Sequence, residues 1–473
     1  MAYNDLRDFI AVLEKKGFLA RVKAEVDPTW EINGITKKLV DEALASARGP
    51  AVLFENIKGH KVPMLSNVFV TTQRIGLALG LDTADDCAIR EEWLRRISNP
   101  IPPKVVSTGP CKENFLMGED ADINAVCPPV IWHEGDGAPY PGTLAMQVTK
   151  DPETGVQNTG IYRQRYFSRN ETSVYMANAQ HGSCHLSKWA HFHPGKPMPM
   201  AAVIGTEPCY LMAACSKFSH PPSEDAHAGA LRQEPVELIK CETCDLEVPA
   251  TSEIVLEGEV YPGELKPDGP FGEYPGYLGE AQMFNVFHLK AITHRNKPIF
   301  HGEREGFPSE GQFMTGKGHE YPLWERIRKL PGVVDIHVPF AGTLYYLVVS
   351  IRKSFKGHVN QLISWIFGDD FHFKFVVVVD EDIDIRNPAH VTWAIVNHVQ
   401  PDRDMVIIPQ SPEVELDVSQ PYSKRGWSAK LGMDATMPTE LYEAEGTKPP
   451  LLCDDPHIKA KVEAQWDKYG INI

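Results

Sequence analysis

GTLAMQVTKD (142–151), GVQNTGIYRQRYF (155–167) and TSVYMANAQ (172–180) follow one another with only the short breaks PET and SRNE between them. Each run carries alternating apolar and polar residues, the period of a half-buried strand. The texture continues in PMAAVIG (199–205), EIVLEGEVY (253–261), MFNVFHLKAITHR (283–295) and KPIFHG (297–302). Short strands at this spacing, punctuated by Gly, Pro and Asn, predict an antiparallel barrel or sandwich from about residue 115 to 305. One helix interrupts it at SEDAHAGALR (223–232), with Ser223 as its N-cap and Glu224 in the first turn.

On both sides the period changes. Residues 4–16 put Leu6, Phe9, Ile10 and Leu13 on one helical face, and Gly17 stops the helix. FLARVKAEV (18–26), AVLFENI (51–57) and VPMLSNVF (62–69) read as strands, and 31–49 and 71–80 as helices. NPIPPKVVSTGPC (99–111) reads as a linker. Beyond 320, strands at 342–351, 374–384 and 404–410 alternate with helices at 357–368 and 389–399. The continuous run KFVVVV (374–379) is what a strand buried on both faces looks like. DPHIKAKVEAQWDKYGINI (455–473) starts a helix at Pro456 and spaces Ile458, Val462 and Trp466 for docking on another element or subunit.

Composition limits the function. The 473 residues are 42% hydrophobic and 23% charged, an ordinary globular balance. Lys and Arg number 47 against 63 Asp and Glu, a net charge of −16. A surface that acidic repels phosphate backbones and argues against nucleic-acid binding. An anionic small substrate then needs a local cationic cluster. No run approaches the roughly 18–20 apolar residues of a membrane span, and the acid-containing start does not read as a secretory signal. Nine cysteines, an odd number in a large chain, fit a reducing cytoplasm better than a disulfide framework.

Nucleotide motifs are missing. TGKGH (315–319) lacks the upstream Gly and the Ser/Thr of a phosphate loop, and no GxGxxG, HExxH or GxSxG occurs. Cys241-Glu-Thr-Cys244 has no second ligand pair nearby and reads as two structural thiols at the start of a strand. His181, His185, His191 and His193 crowd one stretch, and most of them read as ordinary surface or core-edge residues.

Two constellations remain. Asn158 and Arg163 sit five apart in NTGIYR, Gln180-His181 ends the next strand, and Glu224 opens the interrupting helix. Amide oxygen, imidazole and carboxylate suit a hard divalent ion, and three protein ligands leave positions for a phosphate. The second is DGPFGE, where Asp268 and Glu273 share a Gly/Pro-rich turn. An Arg facing two carboxylates is held by charge-assisted bonds, and a Glu tuned between burial and that Arg can donate a proton near neutrality.

NTGIYR (158–163), QH (180–181), GKPMPMAAVIG (195–205), the run from 223 to 264, DGPFGEYPGY (268–277) and SAKLGMDAT (428–436) together resemble the UbiD-type (de)carboxylases, in order and over nearly the whole chain. The resemblance implies an α+β fold whose central split β-barrel is related to flavin reductases. An N-terminal α/β unit (1–110) and a C-terminal α/β oligomerisation unit (316–450) flank the barrel (111–315), and a terminal helix or tail (451–473) follows. It implies prenylated FMN as cofactor, contacted by Asn158, Thr159, Gly160, Ile161, Tyr162, Arg163, Gln180, His181, Glu224 and Lys430. Asn158, His181 and Glu224 fall on positions that hold Mn²⁺ or another divalent ion. Thr159, Ala214 and Ser216 are candidates beside a K⁺ ion. Lys430, otherwise a solvated loop lysine, falls on a phosphate contact.

Arg163, Asp268 and Glu273 fall on a Glu–Arg–Glu network with Glu273 as proton donor. Asp268 stands where Glu is commoner, one methylene shorter. The implied reaction is reversible, non-oxidative decarboxylation of an aromatic or α,β-unsaturated acid, with a flavin prenyltransferase supplying the cofactor and a homodimer or hexamer as the assembly. The alternatives are an FMN oxidoreductase like the flavin reductases, or a subunit of a multi-component aromatic carboxylase. Phe307, Phe313, Tyr321 and Trp427 stand near pocket walls, with core packing the expected role for each.

Overall fold

The computed structural model describes residues 3–46, 49–177, 180–218, 222–439, 441 and 456–470. Cys453 and the last three residues of the YGINI tail lie outside them. The centre is an eight-stranded sheet whose main path runs Gln157–Ile161, Met146–Lys150, Met198–Ile204, Ile254–Asp268, Gln282–His294, Glu171–Val174 and Tyr166–Ser168, with Asn114–Met117 beside Gln282–His294. Every pairing in it is antiparallel.

The two edge strands are consecutive in the chain, joined by residues 162–165 alone. The sheet therefore curls until its edges approach, yet no ladder joins them, so the barrel is split rather than closed. The long strand Ile254–Asp268 shifts register at Glu257/Gly258 and again between Val260 and Leu265. Such irregularities bend a strand and tighten its twist. Gly258 is required at the first, because a Cβ there would lie 2.2 Å from the His288 carbonyl.

The N-terminal unit holds a four-stranded sheet, Leu19–Val22, Ala51–Phe54, Met64–Ser66 and Phe300–His301. Its first helix, Leu6–Lys15, buries Leu6, Phe9, Ile10 and Leu13 as the spacing requires, and Asp5 caps it. The C-terminal unit is a five-stranded sheet with Tyr346–Ile351, Phe375–Asp380 and Trp427–Asp434 parallel at its centre. Val376 to Val379 are fully buried, as their unbroken apolar run implies. No helix among the described residues is long and apolar enough to cross a membrane.

The structure corrects several local readings. The stretch 99–111 is not a free linker: Lys104–Val106 pairs in parallel with Glu237–Lys240. The helix at 224–232 is not the one interruption of the barrel, since His181–Phe192 and Pro208–Ala214 are helical too. HGSCHLSKWAHF is rich in His and Ser, weak helix formers, and is held by burying His185 and Leu186. Ser223 occupies the N-cap position of Glu224–Arg232 but makes no side-chain cap bond. The boundary drawn at 315 lies inside the helix Glu310–Ile327, and Phe300–His301 joins the N-terminal sheet. The helix Pro456–Ala464 buries none of its residues in this chain.

Candidate active site

The edge strand Gln157–Ile161 and its continuation carry the core of the site. Asn158 is buried and lies opposite Thr149 in the ladder. Its carboxamide oxygen is 2.9 Å from His181 Nδ1. His181 is not at the end of a strand, as its sequence position indicated, but is the first residue of the helix His181–Phe192. The Asn158 amide nitrogen donates to the Tyr162 hydroxyl at 3.4 Å, which turns the oxygen toward His181. The backbone N–H of Gly182 donates to the same hydroxyl at 3.1 Å. Glycines let the Tyr162 side chain in: a Cβ would lie 2.8 Å from its hydroxyl at Gly160 and 2.8 Å from its ring at Gly182. Tyr162, expected to touch a cofactor, also orients the Asn158 carboxamide through its hydroxyl.

Glu224 completes the set. The first turn of Glu224–Arg232 aims its carboxylate at the strand, where it accepts the Thr159 N–H at 3.1 Å. It is 8% exposed, and burial pushes its pKa up to about 7. The Thr159 N–H that this dry carboxylate accepts adjoins Asn158, so Glu224 stands one residue along the strand from the amide that meets His181, a donor set that would suit a divalent ion. The 2.9 Å between the Asn158 and His181 donor atoms matches the ~3.0 Å between two ligands at right angles, ~2.1 Å from one octahedral ion. Hard oxygen donors dominate the set, so the residues fit Mg²⁺ or Mn²⁺ better than a thiophilic metal. Behind Glu224, Thr159 Oγ1 is 3.1 Å from the Tyr210 hydroxyl, which donates to Asp225 at 2.8 Å.

Two residues beyond the strand, Arg163 enters the second constellation. One guanidinium nitrogen bonds Glu273, and the other reaches Asp268 Oδ1 at 3.2 Å. Aromatic rings wall it in, with Tyr175 and Phe271 each 5.0 Å from its carbon. Asp268 is fully buried and saturated: the Tyr140 hydroxyl donates to Oδ1 at 2.9 Å and the Ser173 hydroxyl to Oδ2. Its shorter side chain thus has its partners, and its full set of bonds suits anchoring Arg163 rather than moving a proton. Glu273 differs. Burial raises its pKa, the Arg163 charge pulls it down, and Glu305 adds to the rise, with a net upward shift. Arg163 Nε has no partner among the described residues.

Other predicted residues are scattered. Lys430 is on a strand, not in a loop, and is buried, bonding the Phe371 carbonyl at 2.6 Å and Glu413 at 2.9 Å. Gln180 is exposed and accepts the Ala177 N–H at 2.7 Å. Ser216 donates to the Met212 carbonyl at 2.7 Å, one turn back, and Ala214 ends the helix Pro208–Ala214. His185 is a buried partner of Thr149 at 2.9 Å. Cys241 and Cys244 are free thiols in the turn between Glu237–Lys240 and Glu247–Pro249, not at a strand start. Tyr321 is core, as expected, but Phe307 and Trp427 are exposed. Sequence reading missed Tyr140, Ser173, Tyr210 and Asp225, which carry no local motif and become partners through the fold alone.

Comparison with known proteins matches this architecture. Models of the 3-octaprenyl-4-hydroxybenzoate carboxy-lyase N-terminal, Rift-related and C-terminal domains match residues 10–97, 104–307 and 312–435. The chain is 32% identical to the UbiD-class enzyme HmfF from Pelotomaculum thermopropionicum, solved with FMN, over 94% of this chain and 97% of that one, with a TM-score of 0.82. It is 30% identical to Sedimentibacter hydroxybenzoicus vanillic acid decarboxylase in its closed form, over 100% of both chains, with a TM-score of 0.88. Against Klebsiella pneumoniae 3,4-dihydroxybenzoic acid decarboxylase the values are 27%, 97% and 99%, and 0.82. With all three domain models matched in order and both constellations assembled along one edge of the barrel, the chain belongs to the UbiD family of carboxy-lyases.

Proposed function

We propose that this protein catalyses reversible, non-oxidative decarboxylation of an aromatic acid with prenylated FMN. Asn158, His181 and Glu224 would hold a divalent ion, Mn²⁺ by preference, against the flavin phosphate, with K⁺ beside Thr159, Ala214 and Ser216. HmfF has been solved with prenylated FMN, and two other relatives are decarboxylases of vanillic and 3,4-dihydroxybenzoic acid. The observation that carries the reading is the single segment 158–163, which brings Asn158 of the ion-binding set and Arg163 of the acid–base set to one edge of the barrel.

When bound, the modified flavin supplies an electron sink for the pair left on carbon as CO₂ departs. The protein does the rest. Arg163 pairs with the substrate carboxylate and fixes it, its own orientation set by Asp268 and the surrounding rings. The aromatic walls exclude water. Glu273, whose buried carboxyl keeps its proton to higher pH than an ordinary Glu, delivers that proton to the carbon. In the carboxylation direction the same carboxylate takes the proton back.

Lys430 is bonded to Glu413 and the Phe371 carbonyl in the C-terminal unit, so its use as a phosphate contact requires exchange of that buried pair. The partners we propose are a flavin prenyltransferase and further copies of this chain in a reducing cytoplasm. The helix Pro456–Ala464, which buries none of its residues and leaves Ile458 55% exposed, supports contact with another subunit. The test is to produce the protein with a flavin prenyltransferase and screen benzoates for CO₂ release. Turnover without a hydride donor is expected, and Glu273→Gln should lower it about 10²–10⁴-fold while flavin and metal content hold. Plain FMN with NADH consumption would favour the oxidoreductase instead.

A further inference from the structure

A cavity lies on the other side of the helix Glu310–Ile327 from the barrel. Gly311 packs on Glu303, and Gly318 packs on the backbone of Cys215 and Ser216, so positions 311 and 318 face the central unit. At 100° per residue, positions 313, 316 and 317 point the opposite way. There they line a cavity of about 260 Å³ with Thr72 and Asp86 from the N-terminal unit and Phe340, Leu344 and Arg386 from the C-terminal unit. Ligand sites commonly run from about 300 Å³ upward, so this one suits a single-ring compound.

The lining has three properties. The Phe313 and Phe340 rings stand 6.2 Å apart, a broad apolar wall. Gln312 is 4% exposed and lines the cavity, yet neither atom of its carboxamide has a partner among the described residues. Buried polar groups are almost always bonded, so an amide left open at both ends marks a place for a ligand group. Arg386 donates Nη1 to Asp335 at 2.5 Å but leaves Nε and Nη2 without hydrogen bonds. The cations that line the cavity are partnered: Lys317 by Asp86 and Glu320, and Arg386 by Asp335, with Asp86 3.6 Å from its Nη2, so the handle for an anion is the pair of Arg386 nitrogens that no hydrogen bond fills. Lys317 is bonded to Asp86 at 2.8 Å, whereas Asp86 stands 3.6 Å from Arg386 Nη2, beyond hydrogen-bond reach, so Arg386 is the contact an anion takes more readily.

We propose that this cavity binds a single-ring aromatic carboxylate. The carboxylate takes Arg386 Nε and Nη2, which no hydrogen bond fills, and replaces Asp86 beside Nη2; the ring lies on Phe313 and Phe340, and a ring hydroxyl meets Gln312. The proposal stands on this lining alone and does not require the decarboxylase reading. The occupied helix also packs on the central unit, so the acid is sensed on one face while the other borders the barrel.

The test is calorimetric titration of the full-length chain, produced without a flavin prenyltransferase, with benzoate, 4-hydroxybenzoate and benzamide. One saturable site is expected, with benzoate at least tenfold tighter than benzamide and 4-hydroxybenzoate tighter than benzoate. Gly316→Leu is the main variant: a Cβ there meets only Leu344 at 4.0 Å, so the new side chain fills the cavity without touching an ion pair. It should weaken benzoate tenfold or more at an unchanged melting temperature. Gln312→Leu should remove the advantage of the hydroxyl and leave benzoate binding intact. Benzoate binding unchanged in Gly316→Leu, binding lost in Arg163→Leu, or no saturable binding to the unaltered chain would each overturn the proposal.

Discussion

Replacing Glu224 with Gln should make the ion-free protein more stable at pH 8. The Glu224 carboxyl is buried, and its pKa rises from 4.5 to about 7 because desolvation penalises its charged form. Between those two values the folded state holds a proton that the unfolded state has released. Stability therefore falls as pH rises through this window, and the loss is complete above about 7. A shift of about 2.5 units at 1.36 kcal/mol each gives about 3 kcal/mol. Gln keeps an oxygen to accept the Thr159 N–H, 3.1 Å away, and carries no charge to desolvate.

The assay is urea unfolding of both proteins in chelator at pH 5 and pH 8. The variant should gain on the wild type by about 2.5 kcal/mol between the two, since pH 5 already lies above 4.5, and Glu207, Asp225 and Glu310, which burial also shifts upward, are common to both. Adding a divalent ion at a hundred times its Kd should return about 2.7 kcal/mol to the wild type alone. Equal pH dependence in the two proteins, or a less stable variant at pH 8 in chelator, would refute the reasoning.

Three further outcomes are expected. Decarboxylation by the loaded enzyme should decline as pH rises through the elevated pKa of Glu273, because the donor must hold its proton; a rate profile that follows an unshifted carboxyl would contradict this. Asp268→Glu adds a methylene to a fully buried side chain already bonded by Tyr140, Ser173 and Arg163, and should cost about 1–3 kcal/mol in unfolding experiments and lower kcat by displacing Arg163. Val396, 74% exposed on the helix Pro388–His398, and Ile407, 64% exposed on the edge strand Met405–Pro412, are apolar side chains that this chain leaves uncovered and a further copy would cover; Val396→Glu with Ile407→Lys should shift sedimentation to smaller species without changing the melt.

The strands of the barrel were legible because alternation and turn residues are local signals, and the buried run at 376–379 was legible because its unbroken apolar sequence is local too. The helix His181–Phe192 was not, because its residues are weak helix formers and burial against the sheet decides its state. Asn158, His181 and Glu224 stand out in the sequence by donor chemistry, since a hard ion limits which side chains serve it, and the fold brings Asn158 to His181 and Glu224 to the neighbouring Thr159 N–H. Arg163, Asp268 and Glu273 could be picked out by charge.

What no local pattern carries is direction. Tyr162 became a support for Asn158, Asp268 acquired Tyr140 and Ser173, and Lys430 went into a buried pair with Glu413, through contacts spanning from 4 to 128 positions. The sequence by itself determined which residue types were available to bind an ion and move a proton, because those are properties of side chains. Only the tertiary structure decided which of them meet, because burial and partner distance, which set each pKa and each bond, exist only once the sheet has curled and its edges have come together.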